Sequence, residues 1–270
     1  MHEAALAAAG LPGRYIACDV EPAGLAEALR GLRALGFAGC NVTVPLKEAA
    51  ARLASVRSAE VERTGSANTL ALEPDGGLRA DTTDGRGLLA ALREEAGFEA
   101  VGRRVVVLGA GGAARGIAGA LSAAGAREVA VANRTLARAQ ALATALGDRV
   151  RPLALEMDAL APALATADLL VQATTVGMGT DALAVPAAAL EALPPAAIVC
   201  DIVYAPPETA LMRAARRAGH PVVGGLGMLA WQAALAWELW FQRTGPVAVL
   251  REAAERALAA RTAAAEGGMH

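Results

Sequence analysis

The chain has 270 residues and a formal net charge of -2, with 55% hydrophobic and only 3% aromatic residues. Such a length points to two domains with a full core. High hydrophobicity near zero net charge excludes a disordered chain, and the charge balance offers no basic field for nucleic acid.

Strand-like and helix-like segments alternate, the pattern of parallel α/β layers. Residues 3–10 and 22–35 read as helices, with Arg14–Asp19 predicted as a strand between them. Gly39–Val44 reads as a strand ending at Pro45, and Lys47–Leu53 opens a helix just after it. Ser66–Leu72 and Gly77–Asp81 read as a hairpin around the turn Glu73-Pro-Asp-Gly-Gly77. Thr83–Ala96 is a helix with hydroxyl and carboxylate residues at its start. A change of texture then places a boundary near 85–102. Arg103–Leu108 is a β-branched apolar strand running into glycines, and Glu128–Ala132, Leu169–Gln172 and Ile198–Ile202 continue one parallel sheet. Val222–Trp237 is apolar, carries three glycines and is broken by Gln232. It is shorter than the ~20 residues of a membrane span and reads as a buried loop and helix. The chain is expected to be helical from Leu229 and frayed over Arg261–His270.

Cys18, Cys40 and Cys200 are an odd, widely spaced set without a CxxC, expected as reduced, buried thiols in a cytoplasmic protein. The start lacks the basic region of a signal peptide. His2, His220 and His270 show no ligand spacing, so no metal site is expected.

Gly109-Ala110-Gly111-Gly112-Ala113-Ala114 follows a strand and opens a helix. This is a GxGxxA fingerprint in the setting a dinucleotide requires: tight turn, close backbone approach, and free N–H groups at a helix N-terminus. NAD-binding folds place an acidic residue about 20 positions on to hold the ribose 2′-OH. Here that place reads Asn133-Arg134-Thr135, with Arg138 a turn later. Two guanidiniums and a hydroxyl suit a 2′-phosphate, so NADP is favoured over NAD. The plainer reading is a solvated i,i+4 arginine face.

Lys47 is the sole lysine among 25 basic residues, and Asn41, Asn68 and Asn133 are the only asparagines. Arginine does not deprotonate in proteins, whereas lysine can take part in proton transfer. Drift can therefore replace every surface lysine but not one needed for its proton. Asp81-Thr-Thr-Asp84 supplies carboxylates at a second strand-to-helix corner. Asp81 reads as structural; Asp84 could either cap its helix or pair with Lys47. Asn68 sits at another strand edge, and Tyr204 beyond the carboxyl end of a sheet strand, where open sheets bind ligands. Gln232 is the one polar side chain of its apolar stretch and needs a partner if buried.

Together these motifs resemble the shikimate dehydrogenase family over nearly the whole chain. Asn41-Val-Thr-Val-Pro-Leu-Lys47 is similar to its substrate and catalytic-lysine motif, Ala67-Asn-Thr-Leu70 to its substrate asparagine motif, and Thr83-Asp-Gly-Arg-Gly87 to its catalytic-aspartate motif. Gly109–Ala113 and Asn133–Thr135 resemble its NADP loops, and Gly225-Leu-Gly-Met-Leu-Ala-Trp-Gln232 its nicotinamide and substrate motif. The resemblance implies an α/β fold: a substrate-binding and catalytic domain over 1–86 plus 229–270, and a Rossmann NADP-binding domain over 87–228. It implies NADPH-dependent reduction of 3-dehydroshikimate to shikimate, with Lys47 and Asp84 as the proton-relay pair. Thr43, Asn68, Tyr204 and Gln232 would hold the substrate; Ile202, Gly225 and Met228 would position the nicotinamide. The expected partner is this small molecule alone, with no nucleic acid or membrane, in a monomer or homodimer.

Two departures stand out. The family's first strand and its two-serine loop are expected to be absent, because Met1-His-Glu-Ala resembles the end of the motif that follows them. Gln172 stands where the family usually has Asn. A broader quinate/shikimate enzyme would more naturally carry an acidic residue near Asn133, and a non-catalytic NADP-binding protein is the third reading.

Overall fold

A computed structural model describes residues 1–267. The strands are β1 (Gly39–Asn41), β2 (Val56–Arg57), β3 (Thr69–Leu72), β4 (Leu78–Asp81), β5 (Arg104–Leu108), β6 (Glu128–Asn133), β7 (Val150–Ala154), β8 (Leu169–Gln172), β9 (Ile198–Asp201) and β10 (Val222–Gly224). The helices are α1 (His2–Ala8), α2 (Leu25–Ala34), α3 (Lys47–Leu53), α4 (Ala59–Thr64), α5 (Asp84–Ala96), α6 (Gly112–Ala123), α7 (Leu136–Leu146), α8 (Met157–Leu164), α9 (Ala188–Glu191), α10 (Ala210–Arg217), α11 (Gly225–Phe241) and α12 (Val247–Gly267).

The first sheet runs β1-β3-β4-β2, with β3 antiparallel to both neighbours. Its register sets Asn41 opposite Thr69 and Thr69 opposite Asp81. The end of β1, the start of β3 and the end of β4 therefore meet at one edge. Three motifs far apart in sequence leave the sheet side by side.

The second sheet is wholly parallel, in the order β10-β9-β8-β5-β6-β7. Both faces are covered, which explains the apolar runs of its inner strands β5, β8 and β9. Val105 and Val107 pack toward Ile117, Leu121 and Leu142. Val106 and Leu108 pack the other way, toward Leu160, Leu164 and Leu211. Chain direction across the sheet reverses between β5 and β8, the doubly wound arrangement that opens a crevice at the carboxyl ends of those strands.

Helix α5 joins the two halves, packing on α6 and α11. Glycines let the helices cross closely: a Cβ on Gly85 would stand 2.2 Å from Gly116 O. α11 carries every tryptophan of the chain. Trp231 Nε1 donates to Glu94 on α5 at 2.7 Å, Trp240 Nε1 donates to Leu70 O of β3 at 2.9 Å, and Trp237 is buried against Phe241. Arg251 of α12 ties to Glu94 and Glu95, closing the same seam.

Several expectations need correction. Arg14–Asp19 is not a strand; it is exposed and pairs with no ladder, and a strand's backbone needs such a partner. β2, α4 and β7 were not anticipated, because their segments are short or interrupted by polar residues. α11 begins at Gly225, upstream of Leu229, and the apolar stretch contributes β10. The tail is helical to Gly267, and residues 268–270 lie outside the described residues. Of the three cysteines, all free, only Cys200 is buried.

Candidate active site

Lys47 and Asp84 are the first residues of α3 and α5, each delivered by a strand-to-helix corner. Lys47 Nζ lies 2.5 Å from Asp84 Oδ2, and both side chains are buried. A carboxylate suits a helix N-terminus. Asp84 does not cap α5; the N-cap is Thr83. Asp81 is held apart from this pair by Ser58, Arg86 and the Thr82 N–H, a structural role.

Asn68 is the hub. Its Nδ2 stands 2.9 Å from Asp84 Oδ1, 2.9 Å from Thr83 Oγ1 and 2.8 Å from Gln232 Oε1. An amide has two protons, so three acceptors compete for them. Its Oδ1 accepts from Thr83 N at 2.8 Å and Thr69 Oγ1 at 3.2 Å. Gln232 thus has the partner its apolar surroundings required. Asn41 extends the network, donating to Thr69 Oγ1 at 3.2 Å and accepting from Tyr15 OH at 2.8 Å. The cluster presents cation, carboxylate and amides in one buried patch, a surface suited to hydroxyl and carbonyl groups. Thr43 and Tyr204 are exposed on loops and are not drawn into these hydrogen bonds among the described residues.

The glycine loop adjoins the cluster directly. A Cβ on Gly112 would touch Lys47 Cβ and Cδ at 3.0 Å, and Ser66 Oγ donates to Gly112 O at 3.1 Å. Gly109 has φ +110°, a region that favours glycine, and its Cα faces Thr174 and Ala173 O at the switch crevice. Ala110 is buried beneath the loop, and Gly111 faces open space. Through Gly112 and Ala113 α6 begins with neither an acidic residue nor a side-chain cap, so its first N–H groups remain available to a diphosphate.

At the end of β6, Asn133 Nδ2 donates to Thr135 O at 2.9 Å and shapes the corner. Thr135 is the N-cap of α7 and makes no side-chain cap bond; Arg134 and Arg138 are exposed, and no acidic residue occupies the first turn. These residues fit a phosphorylated ribose. Gln172 is buried and closes the turn after β8: its Nε2 donates to Thr174 O and Val176 O, and its Oε1 accepts from Thr174 N. Ile202 and Gly225 lie against each other, a Cβ on Gly225 falling 2.2 Å from Ile202 O, with Met228 buried one turn on. Asp201, raised above the usual carboxylate range by burial, accepts from Thr209 Oγ1 and Val203 N and fixes the start of the Tyr204 loop.

The chain matches the shikimate dehydrogenase substrate binding domain over residues 1–70, shikimate / quinate 5-dehydrogenase over 92–193, and the shikimate 5′-dehydrogenase C-terminal domain over 225–255. A shikimate dehydrogenase (NADP(+)) of Methanopyrus kandleri is 43% identical over 257 residues, covering 94% of this chain and 88% of its own. That of Methylobacterium radiotolerans is 48% identical over 240 residues, covering 87% and 83%. The chain belongs to the shikimate dehydrogenase family. Among solved structures, the shikimate 5-dehydrogenase of Thermus thermophilus, in complex with NADP(H) and shikimate, superposes with a TM-score of 0.84 at 41% identity, covering 95% of this chain and 93% of that one.

Within this member of the shikimate dehydrogenase family, sequence reasoning missed Ser66, Thr69 and Thr83, which tie the motifs together. Thr69 and Thr83 stand inside the motifs of Asn68 and Asp84, whereas nothing in the local sequence distinguishes Ser66 from an ordinary hydroxyl residue. Asn41 carried a signal, its rarity. No helix among the described residues is long and apolar enough to cross a membrane.

Proposed function

We propose that the protein is an NADP-dependent shikimate dehydrogenase that interconverts 3-dehydroshikimate and shikimate. The observation that carries this reading is the buried Lys47–Asp84 pair, bridged by Asn68 to Gln232 and set directly against the glycine loop at Gly112. When bound, NADPH supplies a hydride to the carbonyl carbon. Lys47 and Asp84 hold the proton that the carbonyl oxygen takes as it becomes a hydroxyl. Asn68 and Gln232 orient the ring hydroxyls, joined by Thr43 and Tyr204 from the exposed loops. Gly109, Ala110, Gly111, Gly112 and Ala113 cradle the diphosphate, and Asn133, Arg134, Thr135 and Arg138 receive the 2′-phosphate. Ile202, Gly225 and Met228 border the nicotinamide.

In this reading, residues 1–86 with 229–270 form the substrate and catalytic domain and 87–228 the NADP domain. The protein works in the cytoplasm as a monomer or homodimer. The test is turnover of NADPH with 3-dehydroshikimate, with quinate as a second substrate for the oxidative direction. Turnover with the first supports the reading. Intact NADPH binding without turnover of either substrate overturns it and leaves a non-catalytic NADP-binding protein.

A further inference from the structure

The residue after Lys47 faces the other way. Glu48 Oε1 lies 3.6 Å from Arg138 Nη2 on α7 and 3.7 Å from Arg115 Nε on α6. One carboxylate from the first-sheet half thus sits between two guanidiniums of the nucleotide half. Two cations held this close need an anion between them. Yet Glu48 satisfies them poorly. Both distances exceed a hydrogen bond, and Arg115 Nε is buried without a hydrogen-bond partner, although its Nη1 donates to Thr64 O. Arg138 is also one of the two arginines offered to the 2′-phosphate.

We propose that Glu48 is an internal stand-in for the cofactor's 2′-phosphate: it pairs with Arg138 in the free protein and is displaced when NADP binds. This rests on the reading of Arg138 as a 2′-phosphate ligand. A phosphate carries more charge and more acceptor oxygens than a carboxylate, and meets a guanidinium in bidentate geometry. The loose Glu48 contacts make it an occupant that yields. An unphosphorylated dinucleotide makes no claim on Arg138 and leaves the contact in place. Glu48 then acts as a specificity-determining residue for the phosphorylated cofactor.

The experiment measures dissociation constants of NADP+ and NAD+ by titration calorimetry for the full chain. The variants are Glu48→Gln, Glu48→Asp and Arg138→Ala, at low and raised salt. Glu48→Gln is near-isosteric at a half-exposed site, and its melting temperature verifies folding. It is expected to tighten NADP+ about 3-fold, the scale of one exposed ion pair, and to leave NAD+ unchanged. Raised salt shrinks the gain. Glu48→Asp, which keeps the charge but withdraws it, is expected to show part of the gain. An unchanged or weaker NADP+ constant in Glu48→Gln, an equal gain for NAD+, or Glu48→Asp matching wild type overturns the proposal. If Arg138→Ala binds NADP+ as well as wild type, the cofactor reading itself fails. If Arg138→Ala is weakened while Glu48→Gln is silent, only the stand-in role falls.

Discussion

The first residue of α3 meets the first residue of α5: Lys47 Nζ stands 2.5 Å from Asp84 Oδ2 in a buried ion pair. Two corners 37 residues apart converge because Asn41, Thr69 and Asp81 share one row of the first sheet. Buried pairs of this kind add little net stability, but breaking one leaves a stranded charge at a cost of about 3–5 kcal/mol.

Lys47→Ala is expected to lower kcat by about 100-fold or more while KM for 3-dehydroshikimate changes little. Lys47→Arg is expected not to rescue turnover, since arginine keeps its proton. Steady-state kinetics checks both, with urea unfolding to separate lost chemistry from lost stability. Near-normal kcat in Lys47→Ala would remove this residue from the mechanism.

Asn68→Ala leaves Thr83 N and Gln232 Oε1 without their partner in a buried cluster. Each such loss costs about 1–3 kcal/mol. The expected outcome is a lower urea midpoint together with a raised KM. A stability equal to wild type would show that the network is dispensable.

Cofactor choice is expected to follow the corner after β6. Losing one charged hydrogen bond costs about 1.5–3 kcal/mol, or roughly 10- to 100-fold in affinity. Arg134→Ala and Arg138→Ala should each weaken NADP+ on this scale and leave NAD+ untouched. Parallel calorimetric titrations of the two dinucleotides decide the matter.

Gly225→Ala tests the close approach beside the proposed nicotinamide edge. Its Cβ would stand 2.2 Å from Ile202 O, a backbone atom that cannot simply rotate away. A destabilisation of about 1–3 kcal/mol is expected, read as a lower Tm. An unshifted Tm would mean that β9 and α11 slide apart freely.

His2 makes acid stability testable. It is buried, stacked on Tyr15 at 4.5 Å, and its Nδ1 has no partner; burial and the neighbouring N-terminal charge lower its pKa from 6.5 to about 4. Between those values the unfolded chain binds a proton that the folded chain does not. Stability contributed by neutral His2 is therefore lost as pH falls from about 6.5 toward 4. His2→Leu should flatten this part of the pH profile, measured by denaturant unfolding at stepped pH.

The parallel sheet was legible because its strands are buried on both faces and read as continuous apolar runs, as at Val105–Leu108. The glycine loop was legible because its chemistry is local. Arg14–Asp19 misled because a short apolar run reports the capacity to form a strand, not the presence of a neighbour. The links from Asn68 to Gln232, 164 positions apart, and from Ser66 to Gly112 depend on how the two halves meet. No local spacing encodes such contacts. The scarcity of lysine and asparagine drew attention to Lys47, Asn41 and Asn68, which the structure brings into one cluster, without showing which side chains join them there.

The placement of all three tryptophans on α11 gives this protein a one-helix optical reporter. Trp231 looks onto α5 and Trp240 onto the first sheet, so intrinsic emission reads the undocking of that helix and is nearly blind to the outer strands β6 and β7. Unfolding followed by emission and by far-ultraviolet dichroism will coincide only if α11 leaves its seat as the parallel sheet melts.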